Sequence, residues 1–542
     1  MTAVGVQASE QPSPAEIRKV IAASTAGTVF EWYDFFIYGT LAAIIGQTFF
    51  PAGNATLQVL LVWATFAVGF VFRPLGAILF GYFGDKFGRK HTFLVTITLM
   101  GLATAAVGFI PSAESIGMAA PIIIIVLRAL QGLALGGEYG GAAIYVAEHS
   151  PPGKRGHYTG YIQTSAVGGF VLSIAVVLLF KTLLTPEQWL AWGWRLPFIT
   201  SLLLLAMSLW MRLKLSESPV FKAMKEEGEV SGNPFIESMT YPGNAKRLFV
   251  AMIGCAAGMT VIYYTAMFYM LSFLKGPMRV HDTTADVLTG IAAALGVLTY
   301  VWVGKVSDKI GRKLPIIAGY ILTLILLFPL FYAISNAANP GLAEASRRAP
   351  VAVAGPDCNY SPFASEQTTQ CGKILSDLAS VGVAYSLTEA PALALSAGGK
   401  AIALDAYPWA SKADRSKALK AALAESGYNL EKVKPSTGNA VIVVLCILTL
   451  VILTGFTYGG LAALLSEMFP PRIRYSSMSI PYHFGTGYFG GFLPLIANYI
   501  VAKTGDPFSG LWYTWIVVAV ALVVAMWGLK GGPPRDFADN DS

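Results

Sequence analysis

Apolar stretches of about 20 residues or more recur along almost the whole chain, separated by short polar segments, and nothing constrains the fold more than this. A run of that length matches the hydrocarbon thickness of a bilayer. In lipid the backbone has to satisfy its own hydrogen bonds, so each run is read as a helix. Twelve spans result, at 20–48, 57–83, 91–111, 119–147, 157–181, 194–213, 246–273, 283–304, 313–335, 438–465, 477–502 and 510–530. Only 13% of the 542 residues are charged, about half the share of a soluble domain. The first run follows Arg18 and Lys19, is longer than a signal-peptide core and lacks a small-residue cleavage site, so it is read as a retained span.

The net charge of +7 does not point to nucleic acid, because most Lys and Arg lie in the short connections between spans. Leaving the longest connection aside, the odd-numbered loops hold only Lys181, Arg195, Lys275, Arg279 and Lys503, whereas the even-numbered loops and the tails hold many more. The positive-inside rule then predicts cytoplasmic termini and an outward-facing insert. The predicted organisation is a six-helix half at 1–213, a cytoplasmic linker at 214–245, three helices at 246–335, an extracytoplasmic insert at 336–437, and three helices with a tail at 438–542.

The two halves repeat. Gly81, Asp85, Gly88, Arg89 and Lys90 recur with the same spacing as Gly304, Asp308, Gly311, Arg312 and Lys313. Glu148, Pro151 and Arg155 recur as Glu467, Pro470 and Arg474, displaced further by about the length of the insert, as an internally duplicated transporter requires. A carboxylate beside helix N-termini and arginines beside carboxylates suit a cytoplasmic gate that holds the halves in one access state.

The paired Gly-x-x-x-Asp-x-x-Gly-Arg-Lys loops resemble the signature loop of the major facilitator superfamily. The stretches 31–38, Arg73 to Gly76 and Arg128 to Glu138 are similar to the metabolite:proton symporter family, and the long loop is similar to the haloacid permease branch. The resemblance implies an all-α membrane protein with twelve transmembrane helices in two pseudo-symmetric six-helix halves. It implies import of a small organic acid with protons, by alternating access across a bacterial inner membrane. The permeases of that family carry α-ketoglutarate, citrate, shikimate, aromatic acids, proline and betaine, so a dicarboxylate, a shikimate-like acid or a zwitterion stays open beside a short monocarboxylate. The fifth span lacks the Gly-Pro pairing of the superfamily's antiporters, which favours symport.

Charged side chains inside the spans are the candidates for the mechanism. Glu31 and Asp34 lie three residues apart on neighbouring parts of one helix face, and either could carry the proton, with Glu138 as a further proton site. Arg73 and Arg128 stay charged when buried and match a carboxylate in two-pronged fashion, so either could bind substrate or pair with an acid. Gln131 shares the Arg128 segment, where Gly132 and Gly136 permit close helix approach. Tyr38 and Tyr263 are candidate substrate contacts. Tyr264, Tyr269, Tyr458 and His483 are weaker ones, equally readable as core or interface side chains.

Cys358 and Cys371 in the insert face an oxidising compartment and could close a small loop. The stretch 411–426 reads as a short amphipathic helix, and the insert as a compact cap, or else a gate or docking platform. No nucleophile–base pair, metal-ligand cluster or phosphate loop is found, so the protein is not expected to be an enzyme or to need a cofactor besides the proton. Its expected partners are the organic acid, protons and the bilayer, with a monomer as the working unit. A sensor on a transporter scaffold is the reading of a different class.

Overall fold

The computed structural model describes residues 14–50, 55–87, 89–137, 143–144, 146–148, 150–151, 153–213, 234–405, 407–470 and 473–534. Among them, nine helices are long and apolar enough to cross a membrane by length and composition. The first helix (Pro14–Thr40, continued by Ala42–Phe49) is diluted by Glu31 and Asp34. The third (Arg89–Val107) opens on basic residues, and the eleventh is interrupted by Pro481 and a π-helical stretch at Gly485–Gly491. With these three the bundle has the twelve helices that the sequence predicts.

The second helix runs Ala55–Val71 and Arg73–Phe87, the fourth includes Ala119–Gly136, the fifth is Arg155–Leu183 and the sixth Leu196–Leu213. In the other half the seventh helix extends over 244–275 and the eighth over 282–310, followed by the ninth (Lys313–Ala338). The tenth extends over 437–468, the eleventh runs from Arg474 to Thr504, and the twelfth is Leu511–Gly528. Of the predicted linker at 214–245, only the part from Pro234 onward falls within the described residues.

The halves meet where the fifth helix packs on the eighth and the second on the eleventh. Glycine makes both this seam and the packing within each half possible. A Cβ on Gly132 would stand 1.9 Å from the Gly69 carbonyl oxygen, and one on Gly136 would stand 2.1 Å from that of Arg73. Across the seam a Cβ on Gly304 would stand 2.3 Å from the Gly156 carbonyl, and one on Gly156 would stand 2.4 Å from that of Gly304. The small-residue surface around Arg128 is therefore a helix contact, as the spacing predicts.

The insert adds what helical periodicity did not reveal, a four-stranded mixed sheet. Strands β1 (Val351–Gly355), β2 (Tyr385–Glu389), β3 (Ala394–Ala397) and β4 (Lys400–Ile402) lie in the order β2-β1-β3-β4, with only the β1–β2 pair parallel. Helices Gln370–Val381 and Lys412–Glu425 enclose a second apolar core with it. The latter helix occupies the stretch predicted to be helical, and the Ser411 side chain caps it. Cys358 and Cys371 are joined as a disulfide. Asp377 and Arg415 form an ion pair at 2.8 Å inside this unit.

Because the atom met at Gly132 is backbone, a single methyl cannot be accommodated by a rotamer change. Gly132→Ala should destabilise the bundle by about 1–3 kcal/mol, lowering the melting temperature in detergent. An unchanged melting temperature would refute so close an approach of the second and fourth helices.

Candidate functional site

At the end of the bundle bearing the signature loops, the halves are bonded together. Arg312 grips Glu467 with two prongs, Nε to Oε2 at 3.1 Å and Nη2 to Oε1 at 2.8 Å. Its Nη1 reaches Asp308 Oδ1 at 2.8 Å and donates to Ser307 Oγ at 2.6 Å. Asp308 in turn accepts the backbone N–H groups of Gly156 and His157, both at 2.8 Å. Those are first-turn donors that the fifth helix cannot satisfy internally, and the carboxylate also meets the positive end of the helix dipole. Gly311 completes the turn at φ 92°, a conformation that suits glycine.

Glu148 and Arg474, one from each copy of the second repeat, face each other across the halves at 3.5 Å. Tyr475 adds a hydrogen bond to the Gly137 carbonyl, 2.9 Å. Lys313 differs from the gate role predicted for it, because its ammonium caps the Met526 and Leu529 carbonyls at the end of the twelfth helix. Gly81 lies in the second helix. Gly88 falls outside the described residues, as do the side chains of Asp85, Arg89 and Lys90.

Midway through the bundle the seam is aromatic. Arg128 is completely buried, mid-helix, with its guanidinium carbon 4.3 Å from the Phe35 ring centre, 4.7 Å from Tyr38 and 5.0 Å from Phe66. It donates to the Phe35 carbonyl at 3.3 Å and to Gln131 Oε1 at 2.7 Å. Gln131 donates to Thr104 at 2.9 Å, and Thr104 to the Asp34 carbonyl at 3.3 Å. A hydrogen-bonded relay thus joins the arginine of the fourth helix to the first helix at Asp34.

Arg128 and Asp34, both among the described residues, form no ion pair, so the relay replaces the direct pairing that was one of the expected alternatives. Asp34 and Glu31 are both buried, and Asp34 has Ser201 of the sixth helix as a neighbour. The Asp34 Oδ1 atom has no hydrogen-bond partner among the described residues. Glu138 and Tyr139 lie outside them.

Arg73, also completely buried, lies against the rings of Phe70, Trp32 and Phe35 at 5.0, 5.2 and 5.6 Å. It borders a small cavity of about 20 Å³ between the halves, together with Trp32, Tyr263, Tyr264, Tyr458 and Tyr482. Of the predicted substrate contacts, Arg73 and Tyr263 line this cavity, while Arg128, Gln131 and Tyr38 form the neighbouring cluster. Tyr263 bonds the Ala166 carbonyl across the seam at 3.1 Å, and Tyr38 bonds Thr65. Tyr269 points away, to the Pro507 carbonyl. His483 is buried beside Tyr482, and neither ring nitrogen has a partner among the described residues.

Sequence reasoning missed Thr104, Tyr482 and Phe268. Phe268 packs on Phe36, Phe170, Phe66, Tyr264 and Trp63, with ring centres 5.0–6.1 Å apart, and so lies one helical turn beyond Tyr264 of the small cavity. The available signal was the aromatic density of the seventh span. That helix carries two π-helical stretches, Val250–Ala257 and Thr265–Tyr269, which re-aim its side chains. Among the described residues no group of three or more His, Cys, Asp or Glu is placed to hold a metal.

Two buried arginines beside a seam between six-helix halves, with ion pairs and carboxylate–amide bonds at one end, make a secondary-transporter scaffold. Residues 19–240 match the family model described as "Sugar (and other) transporter". The chain is 37% identical over 327 residues to a glycine betaine/proline/ectoine/pipecolic acid transporter of Dickeya dadantii, covering 59% of this chain and 65% of that protein. It therefore spans just under two thirds of the betaine/proline relatives it matches. It is 35% identical over 321 residues to the shikimate transporter of Escherichia coli K12, covering 58% of this chain and 72% of that one. The fold matches a proton:xylose symporter of the major facilitator superfamily, with a TM-score of 0.63 at 15% identity over 97% of this chain and 98% of that one. The chain belongs to the sugar (and other) transporter family and has the major facilitator fold.

The latch generates its own test. Asp308→Ala removes a charge-assisted acceptor worth about 1.5–3 kcal/mol from the fifth helix N-terminus. Amide exchange at Gly156 and His157 should accelerate by about tenfold or more, and exchange at the wild-type rate would show that the carboxylate does not hold the halves.

Proposed function

We propose that this protein is a proton-coupled symporter that imports a short monocarboxylate, of the acetate or chloroacetate kind, by alternating access. The observation that carries the reading is the Arg73 guanidinium, fully buried at the edge of a cavity shared by both halves. An arginine at that depth is costly in a bilayer and offers a bidentate, permanently charged seat for one carboxylate. The surrounding aromatic rings supply an apolar wall.

Asp34 is the proposed proton carrier, with Glu31 as its alternate. It is buried with one oxygen unpartnered, and an ionised carboxylate stranded that way is expensive. A proton on Asp34 removes the charge. The Thr104–Gln131–Arg128 relay ties that part of the first helix to the arginine cluster. A substrate anion entering beside Arg73 exchanges for the partners that hold this guanidinium, and reorientation proceeds once no net charge is stranded. A membrane potential contributes about 2.3 kcal/mol per charge per 100 mV, favouring inward movement when more than one proton accompanies each monocarboxylate. The distribution of Lys and Arg supports placing the termini in the cytoplasm of a bacterial inner-membrane protein, with the insert outside. The protein is proposed to work as a monomer, with the proton as its sole coupling ion.

A second reading is uptake of betaine or proline. The name of the Dickeya dadantii relative favours it, and so does the box formed by Trp32, Tyr263, Tyr264, Tyr458 and Tyr482, since aromatic faces suit a quaternary amine.

Proteoliposomes under an imposed pH gradient separate the two. Chloroacetate or acetate should accumulate, and accumulation of betaine alone would overturn the organic-acid reading. Binding without accumulation would instead indicate a sensor. Asp34→Asn should abolish gradient-driven accumulation. Survival of accumulation together with its pH dependence would move the proton to another residue. Arg128→Lys keeps the charge but loses the planar fork that holds Gln131, and initial uptake should fall at least tenfold.

A further inference from the structure

At the end of the bundle opposite the signature loops lies a second, larger cavity of about 400 Å³, roofed by the insert. Trp63 and Thr40 of the first half line it, with Asn498 of the eleventh helix and Ser380 of the insert. The roof is fixed to the second half. Val433 donates to the Arg279 carbonyl and accepts from His281 N–H, both at 2.9 Å. Arg279 Nη1 donates to the Val381 carbonyl at 3.0 Å, and Lys503 Nζ donates to that of Tyr360 at 2.5 Å. Gly382, at φ 70°, lets the roof descend onto the loop, where a Cβ would lie 3.2 Å from the Gly276 carbonyl oxygen.

The charges lining this cavity are Lys275, Arg279 and Lys432 against a single carboxylate, Asp282. Lys432 is paired with Asp282 at 2.6 Å. Lys275 is paired with Asp286 at 2.5 Å, and Lys181 approaches the same carboxylate at 3.8 Å. Arg279 remains. Exposed Glu431 is near enough to interact electrostatically, yet Arg279 makes no ion pair among the described residues, and its buried Nε has no hydrogen-bond partner. Its Nη1 is thus spent on the roof while its Nε bonds nothing, and Trp63, Leu60 and Val59 line the same cavity.

We propose that this cavity is an outer binding site for a small carboxylate anion, with Arg279 as its charge partner and the insert as the wall that completes it. The ligand's carboxylate pairs with the Arg279 guanidinium where it lines the cavity, while its carbon end lies on Trp63 and the neighbouring aliphatic side chains. Such a site would collect the anion one aromatic layer, Phe268, outside the central cavity. Its role in uptake rests on the organic-acid reading above. The binding of an anion does not.

The test is calorimetric titration of chloroacetate into the full-length protein in a chloride-free buffer, comparing wild type with Arg279→Gln, Arg279→Lys and Arg73→Gln. Wild type should show two binding events. Arg279→Gln should lose one of them or weaken it at least tenfold, Arg279→Lys should recover part of it, and Arg73→Gln should retain it. An unchanged melting temperature shows that the roof remains docked in Arg279→Gln. If that variant instead loses the roof, Lys432→Gln at the exposed rim provides the second arm and should weaken the same event. Two wild-type events in both Arg279→Gln and Lys432→Gln would overturn the proposal. So would binding that appears only as phosphatidylglycerol uptake in nanodiscs and never with free chloroacetate. Failure of transport with the Arg279-dependent event intact would count against the function reading alone.

Discussion

One carboxylate, Asp308, makes the densest set of bonds between the two halves at the closed end among the described residues. It belongs to the end of the eighth helix, yet it takes the two backbone donors that the start of the fifth helix leaves over, and it shares Arg312 with Glu467. Each of these groups would be costly on its own in a low-dielectric setting, and together they leave little charge uncompensated. The reciprocal glycines at 156 and 304 exist for the same reason, since the carboxylate reaches those amides only if the two backbones nearly touch. The closed seam, and with it the enclosed position of the central cavity, depends on this contact.

Deeper in the bundle a different solution neutralises charge. Arg73 and Arg128 are set among ring faces, and Arg128 also has main-chain carbonyls and Gln131 to bond. Aromatic quadrupoles and carbonyl dipoles stabilise a guanidinium without consuming it in a fixed ion pair. Arg128 is thus held by rings, carbonyls and an amide, whereas the latch commits its arginine to protein carboxylates. The two regions hold the same residue type in opposite ways.

Much of this was readable from the residues. The twelve spans follow from run length, and the latch from the duplicated loops, because a repeated Asp, Gly and Arg at fixed spacing encodes one local geometry twice. The small-residue surface at Gly132 and Gly136 likewise follows from spacing. The direction of individual side chains was less legible. Tyr269 and Tyr263 are six residues apart on one helix, but the π-helical turn between them sends one to the twelfth-helix loop and the other into the seam. The relay through Thr104 was invisible because it joins three helices by rotation and depth, which hydropathy does not report. The strands of the insert are three to five residues long, too short for alternation to stand out.

The insert also breaks the equivalence of the two halves. A carrier made of two matched repeats has end states related by its internal two-fold, and nothing in such symmetry favours one over the other. Here the roof is hydrogen-bonded to one half, and its helix Gln370–Val381 packs on the second helix of the other. In a rocking cycle of the kind proposed, the roof travels with its own half, so its contact with the neighbour exists at one extreme of the motion and is lost at the other. In such a cycle, substitutions on the underside of the insert would shift the resting preference between the two orientations without touching a single buried charge.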